Sequence, residues 1–157
     1  MTASGSWSAA TARQPVLRFV DVSLRGAGQV MFQNSPITGL LFLIGLFVGG
    51  WQFGVYGLLG TAASTLAARW IGVPDAAVRA GLYGYNGTLV GVALAYYLAG
   101  NALLPLYVVF GGVVSATVAG AVGNVLATWQ TPALTGPFVV TTWFFALGIY
   151  GLDQLEA

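Results

Sequence analysis

Few side chains in this sequence can do chemistry, and the missing types narrow the field first. There is no His and no Cys. That removes thiol catalysis, disulfides, His-ligated haem and the usual zinc sites. The carboxylates are Asp21, Asp75, Asp153 and Glu156, and none lies deep inside an apolar run. No nucleophile–base pair or metal constellation can be assembled, so no enzyme and no cofactor is expected. What remains is neutral: side-chain amides such as Gln29, hydroxyls such as Thr135, and apolar residues such as Phe32. An amide and a hydroxyl can exchange hydrogen bonds with an uncharged polar solute. Taken alone, Phe32 reads as a packing or lipid-facing ring, and Thr135 as a hydroxyl bonded to its own backbone. Gln29 stands out because a polar amide in hydrocarbon is costly.

The elements that position these groups follow from composition. Of 157 residues, 57% are hydrophobic and 6% charged, against about 25% charged in an average soluble domain. Mean hydropathy is +0.83. There is too little polar surface to face water. No Asp, Glu, Lys or Arg occurs between Arg25 and Arg69, or between Arg79 and Asp153. A bilayer core about 30 Å thick takes roughly 20 helical residues to cross, so the first gap fits two crossings and the second about three. The sequence reads as an all-α polytopic membrane protein with spans at about 36–50, 53–71, 82–99, 102–127 and 135–152. Ion-coupled transporters usually need an ionisable residue within the membrane. Its absence points to passive movement of a neutral solute, or to no transport. The net charge of +1 gives no reason to expect a nucleic-acid partner.

Punctuation refines this outline. Residues 1–14 are rich in Ala, Ser and Thr, lack the apolar core of a secretory signal and read as a disordered tail. Residues 15–25 form an amphipathic helix, with Val16, Val20 and Leu24 on one face and Arg18, Asp21 and Arg25 on another; such a helix lies in the membrane interface. Arg18–Asp21 and Asp21–Arg25 are favourable charge spacings. Gly28–Pro36 is too short and polar to span and reads as a half-membrane segment, a short helix that breaks at Asn34-Ser35-Pro36, buried in protein or lining a cavity; the alternative is a simple interfacial loop. Trp51, Trp70 and Trp129 fall at span ends, as an aromatic belt places them. Pro74-Asp75 opens a short helix with Asp75 and Arg79 one turn apart. Gly45/Gly49, Gly50/Gly54 and Gly87/Gly91 have the spacing that lets helices approach closely, and Gly81–Gly87 suggests a broken or closely approached backbone. The divisions are a tail and interfacial helix over 1–27, a membrane domain over 28–152 and a C-terminal tail over 153–157. Five spans put the termini on opposite sides, with all five arginines on the N-terminal side, which the positive-inside rule makes cytoplasmic.

Four stretches stand out together: Gln29-Val-Met-Phe32-Gln-Asn-Ser-Pro36, Gly60-Thr-Ala-Ala-Ser-Thr-Leu66, Gly81-Leu-Tyr-Gly-Tyr85-Asn-Gly-Thr-Leu89-Val-Gly91 and Leu134-Thr135-Gly-Pro-Phe138-Val-Val-Thr-Thr-Trp143. In order and spacing they resemble the urea transporter family over about residues 28–145. The resemblance implies a fold of about twice this length, built from two halves of inverted topology around one pore and usually trimeric. This sequence would supply a single five-span half, and an odd span count is what such a repeat requires. The resemblance implies that Gln29 lines a urea slot, that Phe32 and Leu89 flank the planar solute, that Tyr85 packs where Phe is usual, and that Thr135 sits at the narrow middle of the pore. Two departures are visible. Ser35 stands where the family has a second Asn, and no Glu matches the one that faces the Gln from the second half.

The expected function is passive, channel-type passage of urea through a bilayer of the plasma or inner membrane. The pore would be completed by a second copy, in a dimer or higher homo-oligomer, or by another half-size subunit. The rival readings are a non-conducting scaffold or assembly subunit, and a pore for another small neutral solute such as ammonia, water or a short amide.

Overall fold

A computed structural model describes Thr11 and residues 14–153. The expected tail lies almost wholly outside the described residues, as does Glu156. Within them the chain is helical, and no strand forms. The helices are α1 (Pro15–Gln29), α2 (Pro36–Gly49), α3 (Trp51–Trp70), α4 (Asp75–Arg79), α5 (Gly84–Tyr97), α6 (Leu104–Ala127) and α7 (Gly136–Asp153). Of the described helices, α6 is long and apolar enough to cross a membrane by length and composition; α2 and residues 136–148 of α7 are shorter apolar helices.

Local chemistry explains most of the boundaries. Pro36 opens α2 where its missing N–H costs nothing, and the Ser35 side chain accepts from Thr38 N at 3.3 Å as the cap. Trp51 and Trp70 are the first and last residues of α3, both largely exposed. In α4, Arg79 Nε donates to Asp75 Oδ2 at 2.6 Å.

The N-terminal region differs from expectation. Instead of an interfacial helix ending at Arg25 and a separate helix over 28–36, one helix runs on to Gln29, and residues 30–35 are non-helical. Its buried face is Asp21, Val22, Ser23, Gly26, Ala27 and Gly28, while Val16 and Val20 of the expected apolar stripe are exposed. The reason is packing: α1 docks on α2, α5 and α3. Side-chain-free residues let backbones touch, since a Cβ on Gly39 would fall 1.7 Å from the Leu24 carbonyl oxygen. Arg25 Nε bonds Asp21 Oδ2 at 2.7 Å as spacing suggested. Arg18 Nη2 reaches Asp75 of α4, 3.9 Å away.

The centre of the molecule is α3 against α5 and α6. A Cβ on Gly60 would lie 2.1 Å from the Gly87 carbonyl oxygen, and one on Gly91 would lie 2.0 Å from that of Tyr56. The hydroxyls of Thr61 and Thr88 bond across this seam, so these two buried hydroxyls are satisfied without water. Val90, Leu94, Leu98, Leu104, Val108 and Phe145 form the main apolar core, joining α5, α6 and α7. Of the three glycine pairs, Gly87/Gly91 meets a neighbouring backbone and Gly54 meets the Phe47 ring, whereas Gly45 and Gly49 have nothing within 4 Å of an added Cβ. The last pair faces open space in this chain.

Candidate functional site

Gln29 is the last residue of α1, and the chain then turns sharply. The Gly28 carbonyl accepts from both Met31 N (3.0 Å) and Gln33 N (3.2 Å), and Phe32 is driven to φ +55°. A bulky residue rarely adopts this left-handed backbone. Leu134, just before α7, does the same at φ +46°. These two strained positions border one cleft of about 320 Å³, whose wall also includes Gln29, Tyr83, Tyr85 and Pro137. Two of the three non-glycine residues with positive φ among the described residues thus border this cavity, Gln130 being the third, and strain beside a cavity is a pointer to function. No charged side chain lines this cleft among the described residues. The site is therefore uncharged and mostly apolar, with the polar ends of Gln29, Tyr83, Tyr85 and Asn86 set into it.

The five expected site residues divide as follows. Gln29, Phe32 and Tyr85 come together in this cleft. Leu89, one turn beyond Tyr85 on α5, lines a second and larger groove of about 720 Å³ with Phe53, Val92, Tyr96, Phe138 and Trp143. Thr135 is in the wall of neither. It directly precedes α7, whose first turn borders both spaces, Pro137 in the cleft and Phe138 in the groove. Phe32 is 68% exposed, so its ring is available to a solute or to another surface.

The hydrogen bonds define the donors and acceptors left over. Gln29 Nε2 donates to the Ala80 carbonyl at 2.8 Å. A carbonyl can only accept, so the amide nitrogen must lie there, which leaves Gln29 Oε1 as the acceptor end. The Tyr85 hydroxyl donates to the Leu134 carbonyl. Tyr85 was expected to pack; it also ties down the loop before α7.

Sequence reasoning missed Asn86. Its side chain is 1% exposed. Its Nδ2 donates to Leu134 O at 3.4 Å, and its Oδ1 accepts from Phe138 N at 3.1 Å. The signal was present in part, because an Asn among glycines is a poor helix former, but its partners lie 48 and 52 residues away.

The sequence model of the urea transporter family matches residues 20–157. The chain belongs to the urea transporter family. Urea transporter 1 of Ovis aries is 39% identical over 127 residues, covering 78% of this chain and 33% of that protein. The mouse protein, Urea transporter 1 of Mus musculus, is 37% identical over 126 residues, with the same coverage. The chain thus spans about a third of the length of the curated relatives it matches. The family resemblance read from the four motifs holds, and membership places this urea transporter homologue in a membrane.

Proposed function

We propose that the chain forms one wall of a channel for passive movement of urea across the membrane. The observation that carries this reading is the uncharged cleft in which Gln29 offers an acceptor beside the Phe32 and Tyr85 rings. Urea is flat and neutral, with four N–H donors and one carbonyl. Passing it through a dry path without replacement hydrogen bonds costs several kcal/mol. The Gln29 carbonyl supplies an acceptor, flanking rings fit the flat faces, and width plus lining groups give selectivity. Leu89, in the larger groove, extends the apolar wall along α5, and Thr135 would add a hydroxyl from the position just before α7. Without an ion-binding side chain in the cleft, flow runs downhill.

In this proposal helices α2, α3, α5, α6 and α7 are the five spans, and the arginine-rich end faces the cytoplasm. They constitute one unit of an inverted-repeat channel fold, and a second copy or a partner half supplies the opposite wall. The fold divides into a region before residue 28, a membrane domain over 28–152 and a short tail.

A second reading, a non-conducting assembly subunit, is favoured by the open Gly45/Gly49 face of α2 beside the larger apolar groove. Proteoliposomes decide between them. The channel reading predicts urea flux faster than in empty vesicles, saturating only at high concentration. Flux equal to empty vesicles with folded protein would sink it and leave the assembly reading. Equal acceleration of ammonia or water would identify a broader neutral-solute pore.

A further inference from the structure

The first turn of a helix leaves N–H groups that need partners, and a Thr at the capping position ordinarily serves one of them with its hydroxyl. Thr135 holds that position before α7, yet every N–H of that turn is accounted for elsewhere. Gly136 N donates to Ala133 O at 3.1 Å, and Val139 N donates to Thr135 O at 3.1 Å. Pro137 has no N–H to offer. Phe138 N donates to Asn86 Oδ1 at 3.1 Å. The same Asn86 amide, with Tyr85, engages the carbonyl of Leu134, immediately before Thr135. No hydrogen bond ties up the Thr135 hydroxyl among the described residues.

We propose that Asn86 is a positioning residue that caps α7 in place of Thr135, and so frees the Thr135 hydroxyl to face a permeating amide. Tyr85 shares the task by fixing the Leu134 carbonyl, which is thereby removed from the acceptors open to solute. The cap stands on geometry alone; its consequence for flux rests on the channel reading above.

The test uses amide exchange at Phe138, read with selectively ¹⁵N-Phe-labelled protein, and so does not require transport. In the otherwise native chain, Thr135→Val should leave Phe138 exchange within about twofold, because Thr135 is not the cap. Asn86→Ala should let the Thr135 hydroxyl take over. In that background Thr135→Val should then speed exchange about fivefold, the equivalent of losing one cap. Asn86→Asp keeps an oxygen toward Phe138 N and should restore native behaviour. If Thr135→Val alone speeds Phe138 exchange, Thr135 is the cap and the proposal is overturned. That arm stands even if Asn86→Ala does not fold. Equal effects of Thr135→Val in both backgrounds would overturn it as well. In liposomes, Asn86→Ala should slow urea flux, and adding Thr135→Val should slow it no further. Absence of flux in the native chain would remove the channel reading while leaving the exchange result to judge the cap.

Discussion

At the scale of single residues, the proposed site offers groups that are uncharged at neutral pH. Thr135→Val keeps shape and removes one hydroxyl. Losing one hydrogen bond to a desolvated solute should raise the barrier by about 1–2 kcal/mol, roughly a tenfold slowing of urea flux. Unchanged flux would make Thr135 structural. The ionisable groups sit apart from this chemistry. Asp75 is exposed, and its carboxyl is held below the usual carboxylate range by the hydrogen bond from Arg79 first, with the charges of Arg79, Arg18 and Arg69 adding to it against a smaller opposing effect of desolvation. A depressed value in the folded protein means the interaction is present above the unfolded carboxylate range and is lost as pH falls through the folded value. Arg79→Ala should therefore move the Asp75 titration upward, as followed by carboxyl ¹³C NMR. Because the pair is exposed and screened, thermal stability at neutral pH should barely respond. A large loss would show that α4 depends on this contact.

At the scale of elements, close helix approach carries the packing. An added methyl on Gly91 meets the α3 backbone at Tyr56, which cannot swing aside as a side chain can. Overpacking of this kind costs about 1–3 kcal/mol or more. Gly91→Ala should lower the unfolding temperature and loosen α3 from α5. Gly45→Ala adds its methyl to open space and should keep or raise the stability of the isolated chain, by up to about 1 kcal/mol, because Ala is the better residue inside a helix. Comparing the two by thermal unfolding in detergent separates glycines that close contacts within the chain from one that does not. If Gly45→Ala weakens self-association instead, the α2 face meets another copy.

At the scale of the whole molecule, the proposed site is open on one side. Phe32 is exposed, and the groove beside Leu89 is bordered by α2, α5 and α7 without a cover among the described residues. If two copies close one pore, a two-fold axis in the membrane plane pairs equivalent residues, as closed C₂ dimers do. A Thr135→Cys variant should then crosslink to its mate, and the absence of native Cys makes that signal unambiguous. Such a pair requires half of the N-termini to face outward, against the arginine bias. Labelling of a Ser6→Cys variant in sealed cells reads this directly. Protection of every copy would exclude the antiparallel pair and leave a heteromeric partner.

By itself the sequence determined what acts locally along the chain. Long uncharged runs had to become apolar helices because hydrocarbon tolerates no unpaired backbone. Pro36, Pro74 and the flanking Trp residues marked helix ends to within a few positions, since ring closure, capping and interfacial preference operate on neighbours. The motifs also carried the family. Tertiary structure decided what depends on partners distant in sequence. It made α1 one docked helix through Gln29, because Gly26, Gly28 and Gly39 allow contacts that periodicity does not encode. It gave Gly87/Gly91 a backbone to meet and left Gly45/Gly49 without one, although the two pairs have the same spacing. It placed Leu89 in a different space from Gln29, Phe32 and Tyr85, because one turn carries it about 6 Å further along α5, past the start of α7, where Pro137 borders the cleft and Phe138 the groove. It gave Asn86 its partners at Leu134 and Phe138, since a buried amide must find hydrogen bonds wherever the fold brings them.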